Sequence, residues 1–249
     1  RRDLAGDVVD ETPTVDTLRV STAAGGVQAT GGASSSARFS TDGRYVVFQS
    51  DATNLVAGDS NGVTDIFVKD LQTGAVTRFS TDAAGVQGND DSANARFSSD
   101  GRYLVFESWA SLVTDDSNGR KDIFVKDLQT GVVTRVSTDA TGAQSNNDSY
   151  NASFSSDGRF VVFNSWAALL AGDTNNASDI YVKDLLTGAL TRASTNNVGM
   201  QTSSGDCTNP SFSADGRYVV FESGSGNFVA GDTNGTLDIF VKDLQTGAI

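Results

Sequence analysis

The 249-residue chain contains no histidine, one cysteine and only two prolines. The lack of histidine excludes serine–histidine catalytic pairs, histidine general bases and most zinc sites. The single cysteine, Cys207, cannot form an internal disulfide or a thiolate zinc site, and we assign it no chemistry. Two prolines together with 26 glycines favour many tight turns over long helices.

Positive charge is also scarce, because 31 acidic residues outnumber 18 Lys and Arg and give a formal charge of −13. Binding to a nucleic-acid backbone requires clustered Lys and Arg, so we expect no nucleic-acid partner. No apolar run approaches the roughly 18 residues of a membrane span, so we expect no membrane insertion. The acidic, cysteine-poor composition fits a bacterial exported protein, either secreted, periplasmic or on the cell surface.

Internal repetition dominates the rest of the sequence. The segment 37–48 (ARFSTDGRYVVF) returns three times, and its first phenylalanine, Phe39, is followed by Phe97, Phe154 and Phe212 at spacings of 58, 57 and 58 residues. A period of this length is the signature of a repeat architecture in which each unit is one supersecondary structure.

Each repeat predicts four short strands. In the first repeat these are strand A (37–40), strand B (45–50), strand C (65–71) and strand D (76–81). The Asp-Gly turn between strands A and B is a strong hairpin signal. Strand B is apolar on both faces, with Tyr45 and Val47 on one and Val46 and Phe48 on the other. Such a sheet must be packed between two neighbours, which predicts an all-β fold, a β-propeller of four blades with four antiparallel strands each.

The two ends of the chain carry complementary parts of a repeat. Segment 17–22 matches strand D without strands A to C before it, and the last repeat stops after strand C. We therefore expect the N-terminal strand to complete the last blade and to close the ring. This predicts a single domain over 1–249, with a lead-in and closing strand at 1–22 and blades at about 36–81, 94–138, 151–195 and 209–249 plus 17–22. A segment of a larger propeller is the alternative.

Strand direction reverses at every turn, so the connections fall on two ends of the propeller. The tight A–B and C–D turns share one end, whereas the B–C and D–A loops share the other. We call this second end the loop-rich face. It carries nearly all the variation between repeats, and binding residues lie preferentially on such loops over a rigid scaffold.

Each B–C loop has side-chain oxygens at its first, third and seventh positions, followed by an Ile-aromatic-Val-Lys-Asp strand. Calcium prefers six to eight oxygen ligands, and the fifth residue of the loop could add its carbonyl, so the spacing predicts up to four Ca²⁺ ions. The alternative is that these residues form Asx turns and cap their own backbone. The predicted ligands are Asp59, Asn61, Val63 and Asp65, then Asp116, Asn118, Arg120 and Asp122, then Asp173, Asn175, Ala177 and Asp179, and finally Asp232, Asn234, Thr236 and Asp238.

Two further sets of residues are candidates for binding. One precedes strand A, should ring the mouth of the central channel, and could hold water or a small ligand. It consists of Ser36, Asn94, Asn151 and Asn209. The other is Trp109 and Trp166, which follow strand B in two repeats and serve either inter-blade packing or as aromatic platforms for a sugar or peptide.

The acidic residues fall into two groups. Asp42 and Asp70 recur at the same place in every repeat, which indicates a role in turns. Acids in the D–A loops, Asp90, Asp91, Asp148 and Asp206, differ between repeats. A propeller lyase or hydrolase would need two of these carboxylates about 5–10 Å apart over a pocket.

The four segments 39–48, 97–106, 154–163 and 212–221 share the pattern Phe-Ser-x-Asp-Gly-Arg-aromatic-hydrophobic-Val-Phe. In this pattern the chain resembles the WD40-like repeats of TolB-type propellers, over about nine-tenths of its length. The resemblance implies an exported or periplasmic bacterial β-propeller that acts through binding. Propellers of that family usually have six or more blades, whereas four repeats are found here. The B–C insertion is similar to the calcium loops of integrin-type propeller repeats, shortened by two residues.

We therefore expect a non-enzymatic, calcium-stabilised propeller that presents its loop-rich face to a protein or glycan partner. One alternative is a structural repeat segment of a larger surface assembly, which near-identity of the repeats favours. The other is the lyase or hydrolase that uses acids of the D–A loops. Fold class by itself does not choose among them.

Overall fold

A computed structural model describes residues 17–203 and 205–249 of the chain. Within these residues lie fifteen strands and one turn of 3-10 helix at Ala24–Gly26. The strands are β1 Ser34–Phe39, β2 Tyr45–Ser50, β3 Asp65–Asp70, β4 Val76–Arg78, β5 Ser92–Phe97, β6 Tyr103–Ser108, β7 Asp122–Asp127, β8 Val133–Arg135, β9 Ser149–Phe154, β10 Phe160–Ser165, β11 Asp179–Asp184, β12 Leu190–Arg192, β13 Cys207–Phe212, β14 Tyr218–Ser223 and β15 Asp238–Asp243. None of the described helical structure has the length and apolar character needed to span a membrane.

The strands form four antiparallel sheets in chain order, one for each repeat. The first three sheets have four strands (β1–β4, β5–β8 and β9–β12), and the fourth has three (β13–β15). We call them blades one to four. This confirms the all-β class and the antiparallel four-stranded unit. Strand D is shorter than expected, since β4 ends at Arg78 and Thr81 instead pairs with Gln87 across a small hairpin.

Each pair of successive blades is held together by one hydrophobic cluster. Between blades one and two, Val47 and Ile66 meet Leu104, Phe106 and Phe124, and all five side chains are completely buried. The same positions form the clusters between blades two and three and between three and four. Each fully buried side chain of this size contributes about 1.5–3 kcal/mol. The first strands of successive blades also contact one another, so they line the axis of the assembly.

Ion pairs join the two tight turns at the end opposite the loop-rich face. Arg44 lies 2.7 Å from Asp70, which places the A–B and C–D turns side by side, as predicted. Asp42 accepts a hydrogen bond from the backbone N–H of Arg44 at 3.0 Å, which confirms its role in the turn. The equivalent pairs are Arg102–Asp127, Arg159–Asp184 and Arg217–Asp243, at 2.8, 2.6 and 2.6 Å.

A buried lysine ties each blade to the segment that precedes it. Lys69 in β3 donates to the carbonyl and hydroxyl oxygens of Thr22 at 3.2 and 3.1 Å. Lys126 makes the same two contacts with Thr81, and burial lowers the pKa of its ammonium group to about 8. Because Thr22 and Thr81 are equivalent in the repeat, segment 17–22 occupies the place of a preceding blade's strand D.

The predicted closure of the ring by segment 17–22 is not found. This segment lies against blade one, where Val20 packs beside Phe48 and Leu55, and β13–β15 remains a three-stranded sheet. The lysine contact and the packing of Val20 explain its position, because both belong to blade one. In the described residues the four blades form an open arc, and Ile239 of β15 is 65% exposed, whereas its equivalent Ile66 is fully buried.

We predict that the ion pairs at the tight turns make the protein sensitive to acid. Arg102 is the main reason that the pKa of Asp127 falls from 3.8 to about 2 on folding. A carboxylate with a depressed pKa stabilises the fold above its unfolded value, and this contribution is lost as the pH falls from about 4 towards 2. Thermal melts from pH 5 to pH 2 should show a shallower acid dependence in Asp127→Asn than in the wild type. The control Asp90→Asn, at the other end, should keep the wild-type slope, and equal slopes for all three proteins would contradict the prediction.

Candidate functional site

In the first three blades, the loop predicted to bind calcium closes around an arginine of its own strand D. In blade one, Arg78 Nη1 lies 3.1 Å from Asp59 Oδ1 and 3.4 Å from Asp65 Oδ2. The Asp65 side chain is completely buried and that of Arg78 is 11% exposed. Ser80 donates its hydroxyl hydrogen to the other carboxylate oxygen of Asp65. The negative charge of the loop is therefore neutralised by an arginine of the same chain.

Blade three repeats this arrangement, and in blade two the arginine pairs with Asp115, at 3.0 Å, and with Asp116. Arg135 lies 3.3 Å from Asp116, and Arg192 lies 3.6 and 3.5 Å from Asp173 and Asp179. Burial and repulsion by Asp122 raise the pKa of Asp116 to about 6, and the positive charge of Arg135 opposes that shift. Each arginine thus stabilises the charged form of carboxylates that are buried from solvent.

The third loop residue presents its amide nitrogen, not its oxygen, to the carboxylate. Asn61 Nδ2 donates to Asp65 Oδ2 at 3.1 Å and to the Gly88 carbonyl at 3.0 Å. Its Oδ1 accepts the backbone N–H of Val63 at 3.5 Å, which is an Asx turn. The other loops have the same turn, in which Asn118, Asn175 and Asn234 accept from Arg120, Ala177 and Thr236 at 2.9, 3.1 and 3.0 Å.

As arranged, the first three loops do not fit a calcium ion. Calcium requires six to eight oxygen atoms directed at one point, whereas here a guanidinium and an amide NH₂ group face the carboxylates. In the described part of the chain, no group of three or more acidic, histidine or cysteine side chains is placed to hold a metal. The geometry agrees with the Asx-turn alternative, supplemented by a buried ion pair.

The loop of blade four lacks an arginine partner among the described residues, because its sheet has no strand D. Asn234 donates to Asp238 Oδ2 at 2.9 Å, as in the other blades. However, Asn234 is exposed and Asp238 is half-buried, while the equivalent Asp65 is fully buried. Loop four, with Asp232 at its first position, therefore has the same aspartates and asparagine as the other loops, but no strand-D arginine among the described residues. Calcium binding there stays a prediction.

The residues predicted at the channel mouth lie in the innermost strands, at a bulge of each. All four adopt the left-handed backbone conformation, which Asn tolerates better than most residues. Asn94 donates its backbone N–H to Gln49 Oε1 of blade one and its Nδ2 to Glu107 Oε2 of its own blade, both at 3.1 Å. Asn94 and Asn151 thus link neighbouring blades, since Asn151 donates its backbone N–H to Glu107 at 2.7 Å. Ligand binding at the four positions stays a prediction. The φ angles of Ser36, Asn94, Asn151 and Asn209 are 55, 57, 55 and 52°.

One cluster on the loop-rich face does not follow the repeat, and it lies between blades two and three. Lys121 Nζ lies 3.6 Å from the carboxylate of Glu107, which is 1% exposed. The same ammonium group lies 5.6 Å from the ring centre of Trp109 and 4.8 Å from that of Tyr150. The Tyr150 hydroxyl donates to Asp148 Oδ2 at 3.1 Å. We call these five residues the blade 2/3 cluster.

Sequence reasoning missed this cluster as a unit, although it identified Trp109 and Asp148. Comparison of equivalent positions would have found it, because every other blade has a small or uncharged residue where Lys121 and Tyr150 stand. The equivalents of Lys121 are Thr64, Ser178 and Leu237, and those of Tyr150 are Ser35, Ala93 and Thr208. One blade further on, Trp166 is equivalent to Trp109 and is 42% exposed.

The acids proposed for catalysis serve the loops around them. Asp91 accepts the backbone N–H of Thr64 at 2.7 Å, and Asp148 accepts that of Lys121 at 3.0 Å. Asp206 does the same for Ser178 at 3.0 Å, and Asp90 accepts the N–H that follows it at 2.8 Å. Each of the first three therefore links a D–A loop to the B–C loop of the preceding blade. A catalytic role for any of them stays a prediction.

The solved structures that are similar to this chain include two TolB proteins and a propeller domain of a protease. TolB from Acinetobacter baumannii is 21% identical with a TM-score of 0.53, over 87% of this chain and 42% of that protein. A putative TolB from Agrobacterium tumefaciens is 17% identical with a TM-score of 0.55, over 88% and 61%. The β-propeller domain of the trilobed protease from Pyrococcus furiosus, which has an open velcro topology, is 12% identical with a TM-score of 0.52, over 85% and 55%.

At this level of identity the likeness shows the fold alone. The resemblance to TolB-type β-propellers is thereby confirmed. The chain spans less than two thirds of the length of each of these proteins, so their activities and partners are not transferred to it. Neither the family models nor the curated proteins compared with the chain give a match.

We predict that the buried arginines contribute most of the stability of the loop-rich face. Arg78→Gln leaves Asp59 and Asp65 without their cation, and breaking a buried pair in this way costs about 3–5 kcal/mol. The matched control is Arg44→Gln, whose ion pair with Asp70 is 43% exposed on the arginine side and worth about 1 kcal/mol or less. Chemical denaturation should rank the wild type and Arg44→Gln well above Arg78→Gln, and equal losses in the two variants would contradict this.

We also predict that removing divalent cations leaves the thermal midpoint of Asp238→Asn, in which loop four has lost a carboxylate, unchanged. The reason is that guanidinium groups already neutralise the first three loops. The midpoint is measured by circular dichroism with EDTA and again after addition of excess Ca²⁺. A fall with EDTA that Ca²⁺ restores would show that calcium binds despite the arrangement of these side chains.

Proposed function

We propose that this chain is a non-enzymatic β-propeller interaction module that binds a partner protein through its loop-rich face. The blade 2/3 cluster is the observation that carries the proposal. Blades packed by repeated contacts provide a rigid scaffold, and among the described residues this junction is distinguished by two aromatic rings and a lysine beside two acids. Trp and Tyr are enriched at the energetic centres of protein interfaces.

The cluster is suited to binding because its charges are already paired. Lys121 is 19% exposed beside the buried Glu107, and Asp148 receives hydrogen bonds from Tyr150 and from the Lys121 backbone. Charges that are held in place before binding lose less conformational freedom and solvation when a partner covers them. A protein surface with hydrogen-bond donors and acceptors around an apolar centre would complement this arrangement.

A glycan is the second candidate partner. Sugars bind proteins through aromatic side chains with a free ring face, and Trp166 offers the most exposed indole of the loop-rich face. At Trp109 and Tyr150, by contrast, Lys121 already covers one face of each ring. This difference favours a protein partner for the blade 2/3 cluster and leaves Trp166 as the point at which a glycan would be recognised.

Three observations support binding over catalysis. The sequence contains no histidine. The acids of the D–A loops accept backbone N–H groups of the neighbouring loop. The buried thiol of Cys207 has its pKa raised to about 12, mainly by burial, so it does not provide a thiolate at neutral pH. The resemblance to TolB-type propellers further supports a bacterial protein in the periplasm, at the surface or secreted.

A structural segment of a larger assembly remains a second candidate function. The near-identity of the repeats favours it, because successive blades pack on one another through the same positions. This candidate concerns the contacts between blades, whereas the blade 2/3 cluster concerns the loop-rich face. The two roles therefore make separate predictions.

We predict that partner binding depends on the blade 2/3 cluster. A partner isolated from bacterial periplasmic extract on the immobilised wild type is purified, and its affinity is measured by calorimetry. Lys121→Gln and Tyr150→Ser should each weaken binding at least tenfold, as the loss of an interface centre does. Leu186→Ser, a matched change at an exposed site on the tight-turn end, should leave the affinity unchanged.

The same variants are tested on a panel of bacterial glycans. Glycan binding that Trp166→Ser abolishes and Lys121→Gln leaves intact would identify a glycan as the partner. An affinity for the protein partner that neither cluster variant alters would overturn the proposed site.

A further inference from the structure

Most arginines in the described part of the chain are paired with a carboxylate. Those that form ion pairs with aspartates are Arg44, Arg78, Arg102, Arg135, Arg159, Arg192 and Arg217. Within the same residues, the side chains of Arg38 and Arg96 form neither an ion pair nor a hydrogen bond. This is unexpected in a chain where acidic residues outnumber Lys and Arg by 31 to 18.

These two arginines lie at the same place in adjacent innermost strands. Arg38 is the next-to-last residue of β1 and Arg96 that of β5, and the two strands contact each other along the axis of the blades. In the strand pairing, Arg38 lies opposite Val47 and Arg96 lies opposite Val105. Residues directly opposite in an antiparallel pair have their side chains on the same face of the sheet. Each arginine therefore faces the following blade, as its valine does, near the tight-turn end of the axis.

The construction of a blade does not require an arginine at this position. The equivalent residues of β9 and β13 are Ser153 and Ser211. The residue that follows is phenylalanine in all four strands, so the repeat is kept around the position while the position itself changes. Arg38 and Arg96 thus add a pair of positive charges to a fold that also forms with a small hydroxyl side chain there.

The two positive charges disfavour each other. Arg96 is half-buried, and burial together with repulsion by Arg38 lowers its pKa. The charge of Glu107 opposes this shift, but that carboxylate already accepts hydrogen bonds from Asn94 and Asn151. A partly buried charge without a counter-ion is unfavourable, and a like charge beside it adds to the cost. An anion bound between the two guanidinium groups would remove both costs.

We propose that Arg38 and Arg96 bind an oxyanion, the carboxylate or phosphate group of a small molecule, on the axis of the blades near the tight turns. A guanidinium group presents its N–H donors in a planar fork that matches the oxygen atoms of either group. Two guanidinium groups together neutralise an anion of charge −2. The site is separate from the blade 2/3 cluster, which lies on the loop-rich face, so this proposal does not rest on partner binding.

Calorimetric titrations with inorganic phosphate and with succinate test the proposal, at an ionic strength held constant with sodium chloride. At least one of these anions should bind saturably at one site per chain, and the tighter of the two identifies the preferred group. Arg38→Gln and Arg96→Gln should each weaken this binding about tenfold or more, because each removes charge-assisted hydrogen bonds. Arg96→Lys keeps the charge without the planar fork and should have an intermediate affinity. The matched control is Arg120→Gln, which removes the same charge from an exposed position on the loop-rich face and should keep the wild-type affinity.

Thermal melts separate ligand binding from a role of these arginines in the fold. In chloride buffer without either anion, Arg38→Gln and Arg96→Gln should melt no lower than the wild type, because each relieves the repulsion between the two charges. The bound anion should raise the midpoint of the wild type and of Arg120→Gln, but not that of the other two variants. A wild type that binds neither anion saturably would overturn the proposal. Wild-type affinity in both arginine variants would overturn it equally, as would a lower midpoint of both in chloride buffer, which would show that the arginines hold the fold and not a ligand.

Discussion

A blade in this protein has two apolar faces, and it can bury both only by lying between two neighbours. Val47 and Ile66 on one face of blade one are completely buried because blade two covers them. The same requirement explains why the repeats keep their apolar positions while their loops vary. A lysine in the third strand of each blade, such as Lys69 or Lys126, adds a polar contact by donating to a backbone carbonyl of the segment before that blade.

Buried ion pairs give the loop-rich face its rigidity. Arg78 and its equivalents connect the acidic B–C loop to strand D, and in blade one the buried Asp65 is held by a guanidinium, a hydroxyl and an amide. The acids of the D–A loops then join each such connection to the next blade. The blade 2/3 cluster stands on this framework, which is why its side chains can be held in one arrangement before a partner arrives.

The parts of the structure that depend on neighbouring residues in the sequence could be predicted, and those that depend on distant ones could not. Strand B was predicted at 45–50 and found at Tyr45–Ser50, because its turn and its two apolar faces lie within ten residues. Asn94 and its equivalents were expected just before strand A, but they lie within that strand, at its bulge. The spacing of Asp59, Asn61 and Asp65 indicated a cation, but it could not reveal that Arg78 arrives from another strand to supply the charge. Similarly, Lys121 and Tyr150 meet only because two blades pack side by side, and the place of segment 17–22 depends on Lys69, which lies 47 residues further on.

The equivalence of the junctions has a consequence for how such a chain can evolve. Since each junction uses the same residue pairs, unequal recombination that adds or removes one repeat would create a boundary whose two sides are already compatible. Blade number can therefore change in single genetic steps without new packing having to be selected. A binding surface composed of Trp109 and Lys121 from one repeat and Tyr150 from the next is different, because an exchange between those two repeats would separate its parts. Selection for the partner would then fix the order of the blades that carry it, while the blades on either side remain free to multiply.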